Sequence, residues 1–379
     1  MASQMAPYDT STGDLLLQRP GSSTQSCAWD ISPKRFSPSK SHTMTLKGKL
    51  PGRPPVIRLG GESVGSVTSA RVLGVVVDAS QCFREHAQSI GERATAAFGK
   101  MSRISASTWG VRYRALKVLY RGTYVATVTY AAGCWWHRSS TYVVRSALIR
   151  TQRQALILLT KAYRSVSSAA LPVLAGVLPA DLEVKRAGRL DDLRHLTRDE
   201  LRTEKSKISQ ESVAEWQQRW DGEVKGRELY RYFPDVSARL NAVWVEPDYE
   251  VSQMLTGHGC FRKRLYDMKL CEDSVCFCGE SDESMEHVLF ECPLYRDLRV
   301  QMMDGITREE AGPVHYCDFV SCEENFRCFR RFAHGWHNRR STLEREYKES
   351  GAGDEVTWRG VSAIAAGCRP PYQVGRGAR

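Results

Sequence analysis

The sequence predicts an α+β protein that is mostly α, and three observations predict it. Strand signals are confined to Thr43–Asp78, helical periodicity runs from Phe83 to about Trp220, and cysteines crowd the region after Gly257. In chain order the expectation is a small antiparallel hairpin region, a helical body, a charged helical linker and a C-terminal cysteine-histidine region.

The leader 1–35 is rich in Ser, Thr, Gly and Pro without apolar periodicity, a composition that predicts disorder. Residues 36–82 hold the β signals: "PVIRL", a Gly-Gly break and "ARVLGVVVD" read as strands and a hairpin. Over 83–184, Tyr113, Leu116, Leu119, Tyr120 and Thr123 recur at helical spacing, as do Leu148, Leu156, Leu159 and Tyr163. On the second of these helices Arg150, Arg153, Lys161 and Arg164 fall within one narrow arc, opposite much of the apolar surface. Such a stripe is either a solvated face or a row of phosphate contacts. Residues 185–250 alternate charges of both signs with few large apolar residues, and read as an exposed helical linker. The region 251–345 carries the cysteine cluster, and the Gly- and Arg-rich tail 346–379 is expected to be flexible.

A chain of 379 residues can bury a core, most simply as two domains. Lys and Arg outnumber Asp and Glu by 54 to 43, for a formal charge of +11, so polyanions are the natural partners. Twelve cysteines without an N-terminal basic-then-apolar signal argue for reduced thiols and an intracellular, nuclear protein rather than a secreted disulfide scaffold. The best apolar window, Thr123 to Trp136, is shorter than the roughly 20 residues a membrane-spanning helix needs.

The sharpest chemical signal is "CFCGESDESMEHVLFECPLYRDLR", in which Cys276, Cys278, His287 and Cys292 are spaced C-x-C-x8-H-x4-C. Structural zinc takes four Cys or His ligands in a tetrahedron, commonly as two short-range pairs, and these residues form two such pairs. Gly279 allows a tight turn after the second thiol, and Pro293 halts extension after the fourth ligand. The alternative is a set of buried free cysteines beside an ordinary histidine. Cys260 and Cys271 are reserve ligands or bystanders. Downstream, "FRCFRRFAHGWHNRR" interleaves arginines, among them Arg327, Arg330 and Arg331, with aromatic residues and no acid. Its Phe and Trp either stack on bases or pack as the apolar face of an amphipathic helix.

The order of these features resembles the C-terminal part of a non-LTR, R1-type retrotransposon reverse transcriptase. The residues that carry it are "FSPSKSHTMTLKG", "ARVLGVVVD" with "CFREHAQSI", "LTKAYRSVSSAALPVLAGVLPADLE" and "QMLTGHGCFRKRLYDMKLCEDSVCFCGESDESMEHVLFECPLYRDLR". The resemblance implies that 36–82 is a remnant of the polymerase palm, 83–184 the thumb, and 251–345 a region with a CCHC zinc knuckle at Cys276, Cys278, His287 and Cys292. It implies RNA and DNA as partners, and places Lys40 at the lysine that follows the catalytic strand. Such polymerases hold Mg²⁺ on a Tyr/Phe-Ala-Asp-Asp turn. That run is missing here: Asp9, Asp14 and Asp30 stand singly, and Asp191 and Asp192 read as a solvated helix face. The implied function is therefore nucleic-acid binding by a reverse-transcriptase fragment without catalytic metal ligands. The alternative is a zinc-stabilised nucleic-acid-binding or protein-interaction module.

Overall fold

Alternating apolar residues in "SARVLGVVVD" give a tight hairpin, β5 and β6 below. Its two-residue turn, Leu73–Gly74, has positive φ at both positions (46° and 86°), the conformation whose twist matches paired strands. The computed structural model describes residues 37, 40–46, 56–59, 61–108, 112–308 and 312–349. The leader 1–35 and the tail beyond 349 lie outside the described residues. The chain divides into two compact units, Met1–His86 and Ala87–Arg379.

The first unit contains β1 (His42–Thr43), β2 (Arg58–Leu59), β3 (Glu62–Ser63), β4 (Gly65–Ser66), β5 (Ser69–Val72) and β6 (Val75–Asp78). They pair as three two-stranded sheets. In β5–β6, Ser69 lies opposite Asp78 and Val72 opposite Val75; β2–β3 is also antiparallel, whereas β1–β4 is parallel. Asp78 ends the hairpin by accepting from the amides of Ser80 and Cys82 (3.1 Å each) and Phe83 (2.8 Å). Burial pushes its carboxyl up, but the Ser80 hydroxyl and those amides outweigh it and hold the pKa at about 2.

Helices dominate the rest: α1 (Arg84–Thr108), α2 (Tyr113–Tyr120), α3 (Ala126–Val128), α4 (Tyr142–Thr160), α5 (Ala170–Ala175), α6 (Ala180–Asp192) and α7 (Arg198–Asp221). After them come α8 (Arg227–Tyr232), α9 (Val236–Asn241), α10 (Tyr249–Thr256), α11 (Arg262–Asp267), α12 (Arg296–Asp304) and α13 (Glu323–Glu349). Between α2 and α3, Arg121–Val125 is wound as a π turn. Of the residues expected to face the core, Tyr113, Leu116, Tyr120, Leu148, Leu156, Leu159 and Tyr163 are buried, while Leu119 and Thr123 are half-buried. Gln152, buried on α4, ties three elements by bonding the Tyr120 hydroxyl, the Leu178 carbonyl and the Ala180 amide.

The charged stretch after α5 is helical, but it is not a free arm. Ile208, Trp216 and Trp220 of α7 are buried. Its charged residues pair with α6: Arg219 with Asp181 (2.6 Å), Lys185 with Glu215 (2.7 Å) and Arg189 with Glu211 (2.6 Å). Each pair steps four residues forward on α6 and four back on α7, so the two helices run antiparallel. Asp191 and Asp192 are not an idle solvated face. They accept from the Gly133 amide (3.2 Å) and the Trp136 indole (2.9 Å), which lays Trp136 across Gly188.

The C-terminal packing centres on α13, where Phe326, Phe329, Phe332 and Trp336 are buried with Phe261, Tyr295 and Phe319. Of the two readings of the aromatic-arginine run, the amphipathic helix is the one observed. Its aromatic residues form core and do not face bases. Among the described residues no helix is long and apolar enough to cross a membrane.

Candidate metal centre

Four side chains from the short stretch 276–292 converge at one point: one donor atom each from Cys276, Cys278, His287 and Cys292 lies within 4.8 Å of every other. Cys276 Sγ is 3.7 Å from Cys292 Sγ, and Cys278 Sγ is 3.3 Å from His287 Nε2. Metal–sulfur bonds of about 2.3 Å and metal–nitrogen bonds of about 2.0 Å in a tetrahedron give edges of about 3.8 and 3.5 Å. The donor set and spacing therefore fit a tetrahedral ion.

Local chain geometry produces this convergence. Val275 bridges Asp282, and the Cys276 amide donates to the Ser281 carbonyl (2.8 Å), which folds the first pair into a small loop. Gly279 turns that loop at φ 79°, with its amide on the Cys276 carbonyl (2.9 Å). The second pair uses a rarer device. His287–Glu291 is a π turn closed by the Cys292 amide on the His287 carbonyl at 2.7 Å. In an α-helix, side chains five residues apart diverge by about 140°, whereas the wider π winding brings His287 and Cys292 to one side. Arg299 fixes the turn by donating to the Leu289 (2.9 Å) and Cys292 (2.7 Å) carbonyls.

Neighbouring groups suit ligation. His287 turns Nε2 toward Cys278 and Nδ1 toward Glu291 (3.4 Å), the arrangement in which a carboxylate orients a ligand imidazole. The Glu280 amide points at Cys278 Sγ (3.5 Å), as a donor to a thiolate would. As a free thiol, Cys276 is pushed up by its hydrogen bond with Cys292 and by burial. Cys278 is raised by burial. A cation at the centre reverses that tendency, because coordinated thiols ionise. Cys260 and Cys271 are bystanders: Cys271 Sγ rests against backbone carbonyls, and neither joins the cluster.

The loop is bolted to α13. Glu283 is fully buried, and its carboxylate accepts from Arg340 Nε (2.9 Å) and Nη2 (3.1 Å) and from the Arg262 amide (3.0 Å). Phe277, the residue between the first two cysteines, sits under the guanidinium groups of Arg262 and Arg340 and edge-on to Tyr347.

The basic candidates fare differently. Helix α4 ends at Thr160, and Lys161 follows in the left-handed region at φ 58°, so Lys161 and Arg164 are not on the helix and the four residues form no single stripe. Arg153 is spent internally, on the Val166 carbonyl (2.6 Å), the Ser168 hydroxyl (3.1 Å) and the Arg164 carbonyl. Arg150 and Arg164 are exposed, and Lys40 lies exposed in the turn before β1. On α13, Arg330 holds Asp248 (2.9 Å), Arg327 faces Glu323 (3.4 Å), and Arg331 is exposed.

A second group, Asp248, Glu250 and His334, also brings donor atoms within 4.8 Å. Arg330 Nε and His334 Nε2 each lie 2.9 Å from the same Asp248 oxygen, and the Arg330 guanidinium already supplies a positive charge there, so the group joins α10 and α13 through an ion pair and a hydrogen bond.

The chain is 32% identical over 313 residues to a "Retrovirus-related Pol polyprotein from type-1 retrotransposable element R1 4" of Nasonia vitripennis, covering 78% of this chain and 79% of the relative. A further Nasonia vitripennis Pol polyprotein, from element R1 2, is 29% identical over 328 residues, with 82% and 80% covered. The R1 Pol polyprotein of Bradysia coprophila is 32% identical over 278 residues, where the match takes in 69% of this chain but only 28% of that longer protein. No family model and no solved structure matches. By these relationships the chain belongs to the Pol polyproteins of type-1 (R1) retrotransposable elements, of which it is a C-terminal part.

Proposed function

We propose that this chain is a nucleic-acid-handling portion of an R1 retrotransposon reverse transcriptase, stabilised by structural Zn²⁺ on Cys276, Cys278, His287 and Cys292. The observation that carries it is the four-donor convergence within a chain of this family. Thiolate-rich tetrahedral donor sets favour zinc over Mg²⁺ or Ca²⁺, which prefer oxygen. Ion binding to such a cluster stabilises the fold by on the order of 10 kcal/mol. Polymerisation is not assigned to this chain, whose sequence holds no Tyr/Phe-Ala-Asp-Asp run. RNA and DNA are its proposed partners, through its net charge of +11.

Two measurements test this reading. Metal analysis of the purified chain should give one zinc, lost in Cys292→Ser; absence of zinc from protein purified without chelators sinks the metal assignment. Binding to a labelled RNA–DNA duplex should weaken as salt rises, and salt-independent or absent binding refutes the nucleic-acid reading. Primer extension with Mg²⁺ should be at background.

A specific observation favours a second role for the metal loop itself. Residues 272–291 contain Glu272, Asp273, Glu280, Asp282, Glu283, Glu286 and Glu291 and no Lys or Arg. Beside the loop lies a cavity of about 510 Å³ in which Glu228, Asp267, Glu286 and Glu291 outnumber the cations Lys263 and Arg264. Several of these acids are already paired, Asp273 with Arg262, Asp282 with Lys263 and the buried Glu283 with Arg340, but the loop itself offers phosphates no cation, so it serves as a structural clamp or protein contact while nucleic acid is held elsewhere.

A further inference from the structure

Residues 272–291 carry no Lys or Arg of their own, so phosphate contacts are better supplied by another surface. Helix α2 and the π turn after it supply one that sequence periodicity conceals. Arg114, Lys117 and Arg121 follow at i, i+3 and i+7, which places them within about 60° of arc and about 10 Å of helix length. Arg114 and Arg121 are exposed. Arg114 meets Glu246, but among the described residues Lys117 and Arg121 have no carboxylate partner. Beside Arg121, Gly122 faces open space, leaving the backbone there approachable. Behind the row lies another cation: the buried Arg239 of α9 bonds the Leu174, Ala242 and Val245 carbonyls, interacts with the Tyr113 hydroxyl and faces the Phe233 ring.

We infer that Arg114, Lys117 and Arg121 form a phosphate-binding strip, separate from the metal centre, that grips the sugar-phosphate backbone of a nucleic-acid duplex. This rests on the nucleic-acid reading above and says where contact is made. One strand of duplex DNA carries a phosphate per about 3.4 Å of axis, so a strip about 10 Å long faces about three. Lys117 and Arg121 are poorly neutralised at home. Burial, with Arg239 and Arg121 nearby, lowers the Lys117 pKa to about 7, and the Tyr113 ring lies 5.8 Å from its ammonium. Glu246, the one carboxylate in the group, is engaged by Arg114. A bound phosphate would supply the missing negative charge and draw a proton onto Lys117.

The test is fluorescence anisotropy of the full zinc-loaded chain with labelled RNA–DNA and DNA duplexes across 50–300 mM salt. Each of Arg114→Gln, Lys117→Gln and Arg121→Gln should lower the log–log salt slope by about 0.9 on duplex DNA, and the triple variant by about 2.7. Wild-type affinity should fall between pH 6 and pH 8, and Lys117→Arg should bind without that fall. Unchanged thermal midpoints for the exposed Arg114→Gln and Arg121→Gln show that folding is intact. If wild type binds both duplexes and the triple variant keeps its affinity and slope, the strip is refuted while the nucleic-acid reading stands. If wild type binds neither duplex, both fall.

Discussion

Truncating Glu283 to alanine tests whether the metal loop depends on α13. The carboxylate is fully buried and makes three charge-assisted or amide hydrogen bonds, two of them to Arg340, itself 2% exposed in its side chain. Removing one member of a buried pair leaves the other charge stranded, a cost of about 3–5 kcal/mol. Glu344, 2.7 Å from Arg340 Nη1, remains as partial compensation, which favours the lower end, about 3 kcal/mol. For a unit of this size that corresponds to roughly 5 °C in melting temperature. Arg340→Met should cost a similar amount, because it strands Glu283. The double variant Glu283→Ala/Arg340→Met should cost less than the sum of its parts, since no buried charge is left unpaired. Circular dichroism melts of all four proteins in excess zinc complete the cycle. Additive losses, or a single-variant cost below about 1 kcal/mol, would refute the claim that this pair fastens the loop.

Arg153→Ala should destabilise the chain by about 1–3 kcal/mol through its lost carbonyl and hydroxyl bonds, measured by urea denaturation, and leave duplex affinity within twofold after stability is controlled. Gly188→Ala places a Cβ 2.3 Å from Trp136, and a cost of about 1–3 kcal/mol is expected in the same assay. Asp78 has a folded pKa of about 2, depressed from 3.8, so its contribution is present above about pH 4 and lost as pH falls toward 2. Asp78→Asn should therefore remove about 1–2 kcal/mol at neutral pH and nothing near pH 2, which acid titration of both proteins by circular dichroism checks.

The hairpin was legible because strand alternation and Leu73–Gly74 are local signals, and the Cys276, Cys278, His287 and Cys292 cluster because its spacing is short. The π turn that aims His287 and Cys292 was hidden, since "MEHVLFECP" reads equally as an α-helix end. The arc of Arg150, Arg153, Lys161 and Arg164 failed because it assumed a helix continuing through Lys161, where the chain turns left-handed. In "FRCFRRFAHGWHNRR", interleaved charge and aromatics gave no hint that Arg340 is buried: its partner Glu283 lies 57 residues away. Arg114, Lys117 and Arg121 escaped notice because Tyr113, Leu116 and Tyr120 dominate the pattern of that segment.

The ion pairs between α6 and α7 also encode alignment. Sliding α7 one turn in one direction would set Asp181 against Glu215 and Arg189 against Lys207, while the opposite slide would set Lys185 against Arg219. Like charges meet either way, so only the observed alignment satisfies Asp181, Lys185 and Arg189 together. A helix pair with modest apolar contact is thereby held to one registration by the order of its charges, and exchanging Lys185 with Glu215 should preserve that registration where reversing either residue alone would not.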